Sequence, residues 1–234
     1  IEIQSSPFGC GLEGVLQNRR DVLHGILNGT DNGDWNPATD PHIAANYDIN
    51  TVWEKKPQCK AALQREVGLP EAPRTPLVAF IGRLTDQKGL DLIAEVIQRW
   101  VQTMDVQWVI LGTGQPKYHR LLETLAERFP HRVAVRLEFS EPLAHRIEAG
   151  ADMFLMPSRF EPCGLSQLYS LKYGTVPVVR ATGGLADTIT GLHETGASSP
   201  PNGFTFQEYS AIALAETLRQ ACEAYNQPEV WRRL

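Results

Sequence analysis

The stretch LVAFIGRLTDQKGLDLIAEVIQRWVQ, residues 77–102, changes periodicity within a few positions. LVAFIG (77–82) is a short, unbroken apolar run that reads as a buried strand. From Gly89 onward Leu90, Ile93, Val96, Ile97, Trp100 and Val101 recur at helical spacing. A strand leading through a glycine-bearing loop into an amphipathic helix is the first part of a βαβ unit. The rest of the chain repeats it: VQWVILG (106–112) precedes PKYHRLLETLAERF (116–129), RVAVRLEF (132–139) precedes PLAHRIEAG (142–150), and DMFLMP (152–157) precedes GLSQLYSLKYG (164–174). VPVV (176–179) is the last strand-like run, and SAIALAETLRQACEAY (210–225) the last helix. Five such strands predict an α/β fold, a Rossmann-like doubly wound parallel sheet with helices on both faces. Upstream, Pro57 to Val67 reads as a short helix stopped at Gly68, while residues 28–56, rich in Asn, Asp, Gly and Pro, carry no readable element and are expected to be functional or connecting.

Bulk properties narrow the function. With 234 residues and 42% hydrophobic content, one domain with an annex is expected. The longest apolar runs are far shorter than the roughly 18–20 residues of a membrane helix. The N-terminus, IEIQSSPFGCG, lacks the pattern of a secretory signal and reads as a cut through a longer chain. Cys10, Cys59, Cys163 and Cys222 form no CxxC pair, which argues against zinc and a disulfide scaffold and for a reducing compartment. A net charge of -5 without a basic stripe argues against nucleic acid as a partner.

In doubly wound sheets ligands bind at the carboxyl ends of the strands, so the loops there hold the candidates. Arg83 and Lys88 share one loop at a helix start, suited to a diphosphate; the plainer alternative is two solvated charges. LGTGQP (111–116) is a weak dinucleotide turn, because position 117 is Lys where a third glycine is needed, and a tight glycine turn explains it better. PSRFEPCGLSQLYSLKYGT (157–175) is more specific. Glu161 is expected to project into the cleft, and Gly164-Leu165 to begin a helix whose free N–H groups converge with Arg83 and Lys88. A carboxylate for a sugar and cations for a diphosphate would suit a nucleotide sugar. Glu161 as a mere helix cap is chemically reasonable, yet leaves Arg159 and ATGG (181–184) unexplained.

Four blocks carry a family resemblance: FGCGLEGVL (8–16), GILNGTDNGDWNPATD (25–40), IGRLTDQKGLDL (81–92) and AGADMFLMPSRFEPCGLSQLYSLKYGTVPVVRATGGLADTI (149–189). Together they resemble the bacterial glycogen synthases and plant starch synthases, from about residue 8 to the end. The resemblance implies the C-terminal half of a two-domain GT-B glucosyltransferase that moves glucose, with retention, from ADP-glucose, or UDP-glucose in some relatives, to the 4-hydroxyl of an α-1,4-glucan. It implies no metal and no cofactor. Arg83 and Lys88 would stabilise the departing diphosphate, and Glu161 would hold the donor sugar. The amides of Cys163, Gly164 and Leu165 would take phosphate or sugar oxygens, and Thr182, Gly183 and Gly184 would allow close backbone approach. Phe139 matches a position that stacks on adenine, with core filling as its alternative. Asn28 matches an active-site asparagine or is a plain turn residue. Tyr169 stands where related transferases carry a second glutamate for ribose, so ribose recognition is open.

The family's first domain, with a glycine-rich loop, a histidine and most of the glucan surface, is absent from these residues. Hence residues 1–27 are expected to enter from that domain and 28–234 to form the nucleotide-sugar domain, truncated at its end. The partners are then a nucleotide sugar, a glucan and the chain's own N-terminal domain, with no membrane; the location is bacterial cytoplasm or a plastid. A dehydrogenase is disfavoured, because the GxGxxG turn and the following acid are missing. A sugar-nucleotide epimerase and a non-catalytic glucan-binding module stay open.

Overall fold

The computed structural model describes every residue except Ile1, Pro7, Leu27, Thr195, Ala197 and Ser198, and the side chain of Glu2; Leu27 of the 25–40 block and Ile1 and Pro7 of the N-terminal stretch thus lie outside the described residues. Six strands, β1 (Leu77–Ile81), β2 (Gln107–Leu111), β3 (Val133–Arg136), β4 (Met153–Met156), β5 (Val176–Arg180) and β6 (Phe204–Phe206), form one sheet in the order β3-β2-β1-β4-β5-β6. Every pairing is parallel. The helices are α1 (Glu13–Asn18), α2 (Val52–Val67), α3 (Leu90–Trp100), α4 (Pro116–Arg128), α5 (Glu141–Gly150), α6 (Ser166–Lys172), α7 (Gly184–Thr188), α8 (Ala211–Tyr225) and α9 (Pro228–Trp231). None is long and apolar enough to cross a membrane among the described residues.

Strand alternation sorts the core onto two faces. Val78 and Phe80 of β1 pack with Leu90, Ile93 and Ile97 of α3, and with Leu214 and Leu218 of α8. Leu77 and Ala79 point the other way, toward Leu63 of α2 and Leu143 and Ile147 of α5. Trp108 and Phe154, at most 1% exposed, anchor the two faces; burying each such side chain is worth about 2–3 kcal/mol.

Several boundaries differ from the sequence reading. The helix before β1 begins at Val52 rather than Pro57. Pro57 lies inside it, near the N-terminus, where only the backbone bond back to the half-exposed Trp53 is lost. Gly68, with φ 80, ends it as a left-handed C-cap, and the N–H of Leu69 donates to the Gln64 carbonyl at 2.8 Å. The sixth strand was not predicted, because three residues are too short to show a period. β3 stops at Arg136, so Phe139 lies in the loop beyond it, and α6 begins at Ser166, two residues after Gly164.

Segment 28–51 packs on the α5–α6 side through a buried polar cluster. The Tyr47 hydroxyl donates to the Tyr173 carbonyl at 2.8 Å, and Asp40 Oδ2 accepts from Tyr173 at 2.5 Å and lies 2.7 Å from His145 Nδ1. Its lack of periodicity is therefore not a lack of order.

Candidate active site

The order β3-β2-β1-β4-β5-β6 reverses direction between β1 and β4, so the loops after these two strands meet at the switch point. They are joined backbone to backbone: the N–H of Arg159 donates to the Gln87 carbonyl at 2.8 Å, and Gln87 Nε2 reaches the Phe160 carbonyl at 3.3 Å. Gly89 permits the approach, since with φ 74 a Cβ there would stand 2.2 Å from the Pro157 carbonyl oxygen. From α4, Lys117 and the Tyr118 hydroxyl both bond Asp86 Oδ1 at 2.5 Å, hold the first loop down, and keep that carboxyl below the usual carboxylate range.

The juxtaposed loops bring Lys88 Nζ to 2.5 Å from Glu161 Oε2, which also accepts from Ser158 Oγ at 3.2 Å. Glu161 is 8% exposed. This corrects the expectation of a paired cationic nest facing a separate sugar carboxylate: Lys88 is bonded to Glu161. Arg83 alone is the exposed cation of this loop, and its guanidinium makes no hydrogen bond or ion pair with any described residue. A bridging ammonium still has two further protons to offer an anion.

The loop after β5 closes on the same carboxylate loop. The N–H of Gly184 donates to the Glu161 carbonyl at 3.0 Å, and a Cβ at Gly184 would meet the Cys163 carbonyl oxygen at 2.1 Å. Thr182 is buried beside it, and Gly183 adopts φ 49, which favours glycine. The amides of Cys163, Gly164 and Leu165 donate to no described acceptor.

A cavity of about 390 Å³ opens at the ends of β1 and β2, between α5 and α6. Arg83, Phe139 and Tyr169 line it, whereas Lys88, Glu161 and Gly183 do not. Phe139 is 90% exposed, which rules out core filling. Tyr169 stacks on Trp35 at 4.2 Å, and Trp35 stacks on His145 at 3.8 Å, so this wall is a rigid three-ring sandwich. Asn28 is exposed, lies off the cavity lining and bonds no described residue. Gly114 serves close packing: a Cβ there would lie 2.4 Å from the Leu84 carbonyl oxygen.

Arg159 proves to be part of the frame. Its guanidinium lies 4.1 Å from the Tyr209 ring centroid and 3.0 Å from Asp91 Oδ2, and Tyr209 bonds the other Asp91 oxygen at 2.6 Å. Arg180, missed in the sequence, donates to the carbonyls of Arg159 at 2.8 Å and Gln207 at 2.9 Å and so fixes the 158–159 turn. Trp35 and the buried Glu148, both on the cavity wall, were missed too. Only the helical spacing of 141, 144 and 148 signalled a shared face.

Residues 65–233 match the family model described as glycosyl transferases group 1. A glycogen synthase of Anaeromyxobacter sp. is 50% identical over 231 residues, 99% of this chain and 48% of that protein. A glycogen synthase of Rhodopirellula baltica is 48% identical over all of this chain and 47% of its own length. The catalytic domain of starch synthase IV from Arabidopsis thaliana, bound to ADP and acarbose, superposes with a TM-score of 0.93 at 36% identity, over 99% of this chain and 48% of that one. The chain spans about half the length of the curated relatives it matches.

Proposed function

The chain belongs to the glycosyl transferases group 1, and on that premise we propose that it is the nucleotide-sugar-binding half of a glycogen synthase that transfers glucose from ADP-glucose to an α-1,4-glucan with retention. The observation that carries this is the Lys88–Glu161 contact of 2.5 Å at the switch point of the sheet. One carboxylate and one ammonium in contact match the two parts of the donor on either side of the bond that breaks. As the bond from C1 to the diphosphate oxygen lengthens, negative charge grows on the leaving group, where the free protons of Lys88 and the unpaired Arg83 stabilise it. Glu161 accepts hydrogen bonds from the glucose hydroxyls and holds the ring while positive charge develops at C1. The amides of 163–165 supply further donors, and Phe139 offers its exposed face to the base. The ADP seen in the starch synthase IV relative supports this nucleotide.

The acceptor surface is proposed to come from the chain's own N-terminal domain, with residues 1–27 leading in from it and 28–234 forming this half; the proposed setting is bacterial cytoplasm. Calorimetric titration of the chain with ADP, UDP and NAD is expected to show weak ADP binding, weaker UDP binding and no NAD binding. Phe139→Ala should lower ADP affinity by about tenfold, on a stacking contribution of roughly 1–3 kcal/mol per base, and Phe139→Tyr should retain it. Synthase activity of this half alone should be negligible. Robust glucan elongation by it, or preferential NAD binding, would overturn the reading.

A further inference from the structure

Glu148 is a charged-type residue in a place that disfavours charge. It sits on α5, is 1% exposed, and lines the cavity that holds Arg83 and Phe139. Its side chain has one described partner, Ser170 Oγ, 2.8 Å from Oε2. That hydroxyl lies equally 2.8 Å from the Ser166 carbonyl, one turn back in α6. A serine has one proton. If it goes to the helix carbonyl, a common arrangement for helical serine, the Glu148–Ser170 bond is made by a proton on Glu148. Among the described residues no cation answers the carboxyl directly: Lys56 Nζ spends its donors on the carbonyls of Glu148, Ala149 and Tyr173 and on Thr175 Oγ1. The other groups around it are the phenols of Tyr47 and Tyr173, Glu141 two turns back on α5, and Arg83 and Glu138 on the lining of the same cavity. Burial pushes the carboxyl up to about 8, with the Ser170 bond and Lys56 pulling only partly back.

We propose that Glu148 is a specificity residue of this cavity, hydrogen-bonding the nucleoside of the donor as a neutral carboxylic acid through the oxygen that Ser170 leaves unpartnered. The proposal rests on the nucleotide reading of the cavity and deepens it. A neutral acid suits the place: an ionised carboxylate would repel the diphosphate that Arg83 attracts, while the acid keeps an acceptor on the cavity wall. Nucleoside affinity should therefore fall as the pH passes the range in which Glu148 loses its proton.

The test is calorimetric titration with ADP and, separately, inorganic pyrophosphate, at about pH 7 and about pH 9, for wild type, Glu148→Gln and Glu148→Leu, with circular dichroism as the fold check. ADP affinity of the wild type is expected to drop about tenfold between the two conditions, because the ionised Glu148 places a negative charge beside the diphosphate. Glu148→Gln should hold near wild-type affinity at the lower pH and lose most of the pH dependence, which separates Glu148 from Lys56, also brought to about 8 by burial. Glu148→Leu should bind ADP about tenfold more weakly, and at about pH 7, where Glu148 is neutral, pyrophosphate should bind all three alike. Wild-type-like ADP affinity in Glu148→Leu, or an unchanged pH dependence in Glu148→Gln, overturns the role of Glu148 alone. A wild type that binds neither ADP nor pyrophosphate overturns the nucleotide site and this inference with it.

Discussion

On the proposed function, Lys88→Ala will lower turnover of the full-length synthase by roughly 10²–10³-fold, the usual consequence of losing one donor aimed at developing charge. Two effects add. The leaving diphosphate loses a cation that Arg83, on the outer part of the same loop, cannot replace. Glu161, 8% exposed and tied by Ser158, also loses its counter-ion and is left as a poorly solvated acid. The split between kcat and KM reads the mechanism. A group that acts on the leaving diphosphate in the transition state lowers kcat and kcat/KM together, whereas a ground-state tether raises KM alone. Lys88→Arg keeps the charge but changes the geometry of a 2.5 Å contact, and should recover only part of the loss. Steady-state ADP release from ADP-glucose checks both variants; turnover of Lys88→Ala within about threefold of wild type would remove Lys88 from the chemistry.

The sheet was legible because buried parallel strands are written as continuous apolar runs, and LVAFI, WVIL, MFLM and VPVV all are. Site placement followed, since carboxyl ends are fixed once strand direction is fixed. The pairing inside the site was not legible. That Lys88 meets Glu161, and not Arg83, depends on Gly89 sitting against Pro157 and on one backbone bond between residues 159 and 87, neither of which leaves a periodic trace. Arg159 misled for the same reason: its proximity to Glu161 suggested chemistry, while its partners Tyr209 and Asp91 lie about 50 and 68 residues away. Trp35 was hidden in a stretch whose order comes from ring stacking and Asp40 bonds, both non-local. Phe139 shows the converse, an aromatic whose exposure no pattern announces.

Asp152→Ala is expected to destabilise the fold by about 3–5 kcal/mol, the cost of stripping one partner from a buried ion pair. Asp152 lies just before β4, where Oδ2 accepts from Lys60 Nζ at 2.6 Å and from the N–H of Leu77, the first residue of β1, at 2.8 Å. Lys60 also donates to the Thr75 carbonyl at 2.7 Å and to the Tyr225 hydroxyl at 3.0 Å. One carboxylate therefore ties α2, α8 and the starts of both switch-point strands, at the end of the sheet opposite the candidate site. At roughly 2–4 °C per kcal/mol for a chain of this size, Tm should fall by about 10 °C, measurable by calorimetry. ADP affinity below the transition should hardly move, because nothing at the carboxyl ends is touched. The double variant Lys60→Met, Asp152→Leu removes both charges and keeps apolar volume, and should regain much of the lost stability. If it is no more stable than Asp152→Ala, the backbone bond to Leu77 rather than the ion pair holds the strands in register, and the stranded charge on Lys60 is not what costs the single variant its stability.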